Sequence, residues 1–340
     1  KIIVNKKLLE FWKQIYFFSN KKYLINLLLQ VFKRFNKDKI FFIKSVHSLP
    51  HTIIMKDQVI PYKYPKDFLY SGEKILEQLN IPKNTDWICV ASRTNQFDTD
   101  EINKNRPNEE NYKSQYLKNN QNRNFNLDKI EPAIKKFLDN GYYVIDMSYK
   151  DKSVLNIDNK QFIKNYRTDC NEEIGDIFLL SNSKLYFGAD SGVNNFHRIL
   201  NIPQVTINTP DFNTYLLAWF FNKSLLVPKL AYSKSGEVLT IKQMERMNLF
   251  YKPSNFDVRF CDFELRSNSE DEVEKAAEEI LFYIDKGFFK MDKEDKINLE
   301  RLILLLKDMV PNSVYSTLSN EEFNFIISPY FLKKHNYILR

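Results

Sequence analysis

Two arginines and one run of small polar residues carry the clearest chemistry in this sequence. Arg93 follows the apolar stretch 87–91, Arg123 precedes an amphipathic stretch, and Asp190-Ser191-Gly192 follows an apolar stretch at 184–187. A guanidinium group offers planar bidentate donors and holds its charge, which suits a phosphate or a diphosphate. We therefore predict that these residues bind an anion such as a diphosphate.

The small residues Asp190-Ser191-Gly192 join a strand-like stretch to a helix-like one. The first turn of a helix presents free backbone N–H groups to an anion. Ser191 could cap that helix and donate to a phosphate, and Gly192 would let the backbone come close to the ligand. The alternative is an ordinary turn with an N-cap, and this pattern alone is too short to decide between the two.

Three further residues are predicted to line the same ligand site. Asp176 and Asn208 could bind a ribose or a base through hydrogen bonds, and Tyr166 lies in the loop ahead of Asp176. Each of them has an ordinary alternative as a surface side chain. Their convergence on one sheet edge is the stronger argument, because ligands of parallel sheets bind beyond the carboxyl ends of the strands.

Histidine and cysteine patterns give little support to metal or thiol chemistry. His47 and His51 have the i, i+4 spacing of a metal pair, but Pro50 between them disfavours the helix that would bring them together. His197 is predicted to be a packed or capping residue and not a base. The three cysteines, at positions 89, 170 and 261, are too far apart for a Cys-x-x-Cys metal site and too few for a disulfide framework. We predict a reducing cytoplasmic environment, no metal site and no cofactor.

Composition excludes several large classes. Glycine occurs only 7 times in 340 residues, so neither the glycine-rich dinucleotide fingerprint nor a phosphate-binding P-loop can be assembled. No apolar run approaches the roughly 18 residues of a membrane-spanning helix. The chain begins with Lys1 and not with methionine, and we expect natural sequence upstream.

Alternating strand and helix patterns must position these residues. Apolar runs and 3.6-residue periodicity predict strands at 87–91, 142–147, 184–187 and 204–207, with helices at 127–140, 174–181 and 193–200. This alternation indicates a parallel sheet with right-handed crossovers, an α/β layer of the Rossmann type. The polar stretch 94–124 is predicted to be a long loop that either covers a substrate or is partly disordered.

We predict three parts of the chain, divided at two places. The connector 81–84 separates a basic N-terminal domain, 1–82, from a Rossmann-like domain, 83–265, and the remaining residues, 266–340, form a mainly helical segment. A helix is predicted at 68–79, and the firmest C-terminal helices are 270–285 and 293–309.

The basic charge lies at the N-terminus. Residues 1–66 hold fourteen lysines and arginines against three acidic residues, interleaved with aromatic side chains. This pattern suits an anionic membrane surface, and nucleic acid is the weaker alternative. The ordinary alternative is that the aromatic side chains form a core and the lysines a solvated face.

Short motifs also follow one another in a specific order and spacing. They are Val90-Ala91-Ser92-Arg93, Arg123-Asn124 with Asp128, Gly141-Tyr142-Tyr143-Val144-Ile145, Tyr166 leading to Asp176-Ile177-Phe178-Leu179, Phe187-Gly188-Ala189-Asp190-Ser191-Gly192, Asn201-Ile202-Pro203, Thr206-Ile207-Asn208 and, more loosely, Val227-Pro228-Lys229. Through them, residues 87 to about 282 resemble a bacterial family of glycosyltransferases from surface-polysaccharide gene clusters, which have the GT-B architecture of two facing Rossmann-like domains. Asp190-Ser191-Gly192, together with the later Asn201-Ile202-Pro203, is also similar to the donor-side loop of heptosyltransferase-like enzymes.

The resemblance implies transfer of a sugar from a nucleotide-diphosphate sugar to a glycan or lipid-linked acceptor at the cytoplasmic face of a membrane. It places the donor on 83–265, with Arg93 and Arg123 stabilising the leaving diphosphate and with donor contacts from Tyr166, Asp176, Asp190, Ser191, Gly192 and Asn208. The acceptor side, short or truncated here, would be the N-terminal domain. Two departures weaken the match: Ala91 and Ser92 precede Arg93 where a histidine is usual, and the N-terminal domain 1–82 is short for the acceptor half. No catalytic base can therefore be assigned.

Two other classes remain open from the sequence. A nucleotide-sugar epimerase can share the fold and would isomerise the sugar without transferring it. A non-catalytic basic adaptor on membrane or nucleic acid would show salt-sensitive binding through residues 1–66 and no affinity for nucleotides.

Overall fold

The protein was analysed as a computed structural model that describes residues 66–149, 155–164, 166, 173–191, 197, 202–209, 224–246, 263–309 and 325–340. The predictions for the N-terminal 65 residues and for Gly192 lie outside these residues, and so does the predicted helix 193–200 apart from His197.

A parallel sheet of seven strands forms the centre of the described fold. In chain order the described strands, seven in this sheet and two outside it, are β1 (Trp87–Ala91), β2 (Tyr143–Asp146), β3 (Phe162–Ile163), β4 (Leu185–Gly188), β5 (Gln204–Thr209), β6 (Ser224–Pro228), β7 (Leu230–Ser233), β8 (Phe263–Arg266) and β9 (Phe325–Ile327). The sheet has the order β3-β2-β1-β4-β5-β6-β9, and β7 and β8 form a separate antiparallel pair. The chain therefore runs outward from β1 in one direction and from β4 in the other, which is the order of a Rossmann-like sheet with a seventh strand added.

Helices cover the sheet. They are α1 (Lys66–Gln78), α2 (Gln96–Asn105), α3 (Glu110–Asn120), α4 (Glu131–Asp139), α5 (Glu173–Asn182), α6 (Ile241–Arg246), α7 (Glu270–Lys286), α8 (Lys293–Met309) and α9 (Pro329–Lys334). Short 3₁₀ turns add Gln121–Arg123, Leu127–Ile130 and Asn336–Leu339. The predicted α/β class with a Rossmann-like layer is confirmed.

The alternating side chains of β1 show how the two faces are filled. All five residues of the strand are buried, as expected where helices cover both faces of a parallel sheet. Ile88 and Val90 belong to the core that includes α4 and α7, whereas Trp87, Cys89 and Ala91 belong to the core that includes α1 and α5. On that second face the indole N–H of Trp87 donates to the Leu179 carbonyl oxygen at 2.8 Å.

The C-terminal residues complete this sheet and do not stand beside it. They form long helices, as predicted, but β9 pairs with β6 and α7 packs on β5 and β6. Helix α7 begins at a Ser269–Glu272 capping box and ends at Gly287, whose φ of 79° suits glycine. The sheet thus crosses the predicted boundary at residue 265, and α1 packs on α5 across the predicted boundary at residue 82.

A buried chain of hydrogen bonds ties the C-terminal helix to α7. Nε2 of His335 lies 2.6 Å from Oε1 of Glu272, and Nδ1 of His335 lies 2.8 Å from the Tyr337 hydroxyl. The Asn268 amide reaches Oε2 of the same glutamate at 3.4 Å, a long contact. The last residues of the chain are therefore connected to the loop that enters α7.

Residues 94–124 are not a loop. They form α2, α3 and the turn Gln121–Arg123, so that prediction is wrong. Only Ile102 is buried in α2, so the apolar periodicity that would reveal the helix is almost absent. Residues 94–124 bury little apolar surface, and local contacts such as the Arg106–Glu109 ion pair at 3.0 Å stabilise their helices instead.

Gly188 provides a test of how closely β1 and β4 approach. A Cβ atom at this position would overlap the carbonyl oxygen of Ala91, and neither backbone can move without breaking the sheet. We expect Gly188→Ala to lower the free energy of unfolding by about 3 kcal/mol, measured by urea denaturation. Gly236→Ala is the control, because Gly236 has open space around it and its φ of 84° alone costs about 1 kcal/mol. Equal losses in the two variants would contradict this account.

Candidate ligand site at the sheet switch point

The site lies where the order of the sheet reverses, at the carboxyl ends of β1 and β4. Ala91 and Gly188 are paired residues there, and the Ala189 N–H donates to the Ala91 carbonyl oxygen at 2.9 Å. The Tyr186 hydroxyl donates to the Ala189 carbonyl oxygen at 2.7 Å, which holds the start of the loop after β4. The segments that follow the two strands therefore leave the sheet side by side, at the place where ligands of such sheets bind.

Arg93 is joined to the segment that carries Arg123. Arg93 and Phe125 exchange two backbone hydrogen bonds, of 3.2 and 2.9 Å, which form an isolated antiparallel bridge. Next to this bridge, the Asn124 amide nitrogen donates to Oδ1 of Asn95 at 2.6 Å. Residues 94–124 thus begin and end beside each other, and both arginines lie at the carboxyl edge of the sheet.

Each arginine is held by an aspartate. A guanidinium nitrogen of Arg123 donates to the Asp190 carbonyl oxygen at 2.8 Å and to its carboxylate at 3.0 Å. A guanidinium nitrogen of Arg93 donates to the Asp98 carboxylate at 2.8 Å. The four side chains are between 9% and 20% exposed, so these are largely desolvated ion pairs.

The electrostatics of this cluster are balanced. The pKa of Arg93 is lowered by burial and, next, by the positive charge of Arg123, while Asp98 and Asp190 act in the opposite direction. Two cations and two anions leave the four side chains without net charge. An added phosphate would therefore meet oriented N–H donors in a partly desolvated site and not a simple excess of positive charge.

Some donors at the edge have no acceptor in the part of the chain that the structure describes. They are Nε of Arg93 and the hydroxyl of Ser191, both buried. Ser191 directly follows Asp190, which bonds Arg123, so both donors belong to segments that the two ion pairs fix. Buried donors are normally hydrogen-bonded, and unused ones at a ligand edge are compatible with an acceptor-rich ligand.

Helix α2 is anchored at this edge by its own polar side chains. Asp100 accepts from Gln96 at 2.8 Å and from the Tyr149 hydroxyl at 3.0 Å, and the rings of Phe97 and Tyr149 meet edge to face at 5.2 Å. Asp98 on the same helix holds Arg93. Sequence reasoning missed these residues because it treated the whole stretch as a loop, although acidic residues five and seven positions after Arg93 were a usable signal.

The other predicted residues have different placements. Asn208 lies in a bulge of β5, one residue before the strand ends at Thr209, and is 2% exposed. Asp176 lies in the first turn of α5, where burial raises its pKa to about 7. Tyr166 is fully buried in the core beside Ile75 and α5, so the predicted ligand contact has no exposed surface to use.

His197 lies away from the switch point. Its Nε2 lies 2.7 Å from the Ser183 hydroxyl, and its ring lies 5.3 Å from that of Tyr186. Ser183 precedes β4, so this contact is at the end of the strand opposite to the candidate site. His197 is fully buried, which confirms the prediction of a packed residue.

Neither the protein-family models nor the curated proteins match this chain. Among the described residues, no group of three or more His, Cys, Asp or Glu side chains could hold a metal ion. No helix among them has both the length and the apolar character needed to cross a membrane.

The Arg123–Asp190 pair is testable by a double-mutant cycle. Arg123→Ala leaves a buried carboxylate without its cation, and we expect a coupling energy of about 1–3 kcal/mol with Asp190→Ala, measured by chemical denaturation. The exposed Arg106–Glu109 pair is the matched control and should couple by less than about 1 kcal/mol. A similar coupling in both cycles would show that burial does not strengthen the inner pair.

Asp176 predicts a pH dependence of stability. Because burial raises its pKa to about 7, the folded protein keeps a proton that the unfolded chain releases near pH 4. Stability should therefore fall as the pH rises from about 4 to 7, by about 1.4 kcal/mol for each unit of pKa separation. Urea unfolding at pH 5 and pH 8 should show a smaller loss for Asp176→Asn than for the unmodified protein. Equal losses would assign the pH dependence to other groups.

Proposed function

We propose that the switch-point site binds the diphosphate of a nucleotide sugar and that the protein is a glycosyltransferase. The observation that supports this most is the convergence of Arg93, Arg123 and Ser191 at the carboxyl ends of β1 and β4. A sugar transferase must stabilise the negative charge that develops on the departing diphosphate, and preorganised donors in a desolvated site do so effectively. The ion pairs with Asp98 and Asp190 supply that preorganisation.

The geometry suggests how the donors would act. Asp190 accepts two hydrogen bonds from one guanidinium nitrogen of Arg123, and Asp98 accepts one from Arg93. Nε of Arg93 has no acceptor among the described residues, so a diphosphate oxygen could accept from it without displacing Asp98. Each carboxylate would then fix its guanidinium and also reduce its charge, which favours a ligand that must be released after transfer.

The remaining features of the proposal rest on the sequence. They are the GT-B arrangement with a facing acceptor domain, the glycan or lipid-linked acceptor, the cytoplasmic location and the attraction of residues 1–66 to an anionic membrane surface. The proposal assigns no catalytic base and no metal. Asp190, Ser191 and Asn208 remain the proposed donor-binding residues, together with Asp176, whose carboxyl lies at the start of α5.

Ligand binding provides the direct test. We expect at least one nucleoside diphosphate at millimolar concentration to raise the melting temperature without added magnesium, because a ligand at a hundred times its Kd stabilises the native state by about 2.7 kcal/mol. Arg93→Gln should remove most of this stabilisation, since a hydrogen bond to a charged group contributes about 1.5–3 kcal/mol. The measurement is a thermal-shift titration against the diphosphates of uridine, guanosine, adenosine and thymidine and against cytidine monophosphate.

Arg106→Gln is the control, because Arg106 lies in an exposed ion pair outside the site. Its titration should match that of the unmodified protein. No response to any nucleotide, or the same response in Arg93→Gln, would refute the proposed site. A nucleotide sugar that binds and changes into an isomer without transfer would identify an epimerase instead.

A further inference from the structure

Strand β5 ends in a bulge that is built around two asparagines. Its register with β6 shifts between Ile207 and Thr209, and Asn208 between them has a φ of 55°. The Asn208 N–H donates to Oδ1 of Asn268, and the Asn268 N–H donates to Oδ1 of Asn208, each at 2.7 Å. The Asn268 amide nitrogen also donates to the Pro228 carbonyl oxygen at 2.8 Å, so the bulge is fixed to the end of β6.

These bonds settle which way the Asn208 amide points. A backbone N–H can only donate, so the side-chain atom that it meets must be the oxygen. Nδ2 of Asn208 is therefore a donor, and it is buried without an acceptor in the described parts of the chain. In contrast, the donors of Asn268 are used.

Lys229 follows the same end of β6. Its backbone N–H donates to the Thr209 carbonyl oxygen at 2.8 Å, which places it one residue along the ladder from the bulge. Lys229 is only 6% exposed, and within the described residues its ammonium group forms no ion pair and no hydrogen bond. Burial lowers its pKa to about 8, so the side chain remains mostly cationic at neutral pH.

A buried cation without a partner is unfavourable for folding. Removing an ammonium group from water costs free energy that only acceptors or a counter-charge can offset. The buried carboxylate in the network behind Asn268 is that of Glu272, and it is already bound by His335 at 2.6 Å and by Lys334 at 3.2 Å. Lys229 and Asn208 thus place two unused donors at neighbouring strand ends, and the Nδ2 atom of Asn208 is fully buried without an acceptor among the described residues.

We propose that Lys229 and Nδ2 of Asn208 bind an oxyanion, a phosphate or carboxylate group of the ligand, at the carboxyl ends of β5 and β6. The identity of that ligand rests on the proposed function, whereas the anion site itself does not. The end of β5 lies one strand spacing from β4, and the end of β6 lies two. The backbone of Lys229, which follows β6, is therefore about 10 Å from the switch point. The oxyanion is therefore either one end of a diphosphate that extends along the sheet edge or a separate acidic group on the sugar.

Inorganic pyrophosphate tests the site without dependence on a nucleobase. We expect Lys229→Met to weaken the Kd for pyrophosphate about tenfold or more, measured by thermal-shift titration of the full chain. Without ligand, the same variant should melt at a higher temperature, because the unpaired buried charge is gone. Lys290→Met is the control, since Lys290 is exposed, and it should change neither value.

Two nucleotide sugars distinguish the sources of the oxyanion. UDP-glucose and UDP-glucuronate differ by one carboxylate on the sugar. If Lys229 binds the diphosphate, Lys229→Met should weaken both ligands equally. If it binds the sugar carboxylate, the unmodified protein should prefer UDP-glucuronate, and this preference should vanish in Lys229→Met.

The outcomes separate this proposal from the proposed function. Unchanged binding of all three ligands by Lys229→Met overturns the anion site, while an Arg93-dependent response to nucleotides still stands. Pyrophosphate binding that needs Lys229, in a protein that responds to no nucleotide, supports the anion site and overturns the glycosyltransferase proposal. If the unmodified protein binds none of these ligands, both are overturned.

A measurement on the unmodified protein covers the case in which Lys229→Met fails to fold. Acetylation of Lys229 by acetic anhydride, followed by mass spectrometry, should slow about tenfold in saturating pyrophosphate, while acetylation of Lys290 should not change. Equal rates at Lys229 in the absence of ligand, in pyrophosphate and in UDP-glucuronate would overturn the proposal.

Discussion

The close approach of β1 and β4 at their carboxyl ends is the constraint on which the site depends. Gly188 lies against the carbonyl oxygen of Ala91, with no room for a side chain between the two backbones. Because these strands begin the two halves of the sheet, their approach sets where the chain changes direction and where the following segments leave the sheet. The bridge between Arg93 and Phe125 and the bonds from Arg123 to Asp190 both start from this point.

The polar groups along this edge show two different solutions to the burial of charge. At the switch point every arginine has a carboxylate, so the charges are compensated before any ligand arrives. At the end of β6, Lys229 has no such partner, so no described residue offsets its desolvation. Uncompensated polar groups of this kind lower stability, and functional sites are where proteins commonly retain them.

The sequence predicted the strands of the sheet centre well and the details of the site poorly. The apolar run 87–91 matches β1 at both ends, because a fully buried parallel strand needs continuous apolar residues. Helix α2 was missed since only one of its side chains is buried, and with it Asp98, the partner of Arg93. Asn268 and Lys229 could not have been linked to Asn208, because only the pairing of β5 with β6 and the bulge bring these distant residues together. Tyr166 was placed at the edge from its position in a loop, but its apolar ring packs inside the core.

The position of β9 has a consequence for the order in which the molecule is made. This strand pairs with β6, yet about one hundred residues separate the two in the chain. During synthesis, β6 must therefore remain an open edge until the ribosome has released residues 325–340. An unpaired edge of buried apolar residues is a template for association with other chains, so the nascent protein passes through an aggregation-prone interval that ends only when β9 docks on β6. Ribosome stalling or proteolysis before residue 325 would produce a chain that retains both switch-point arginines but cannot cover this edge.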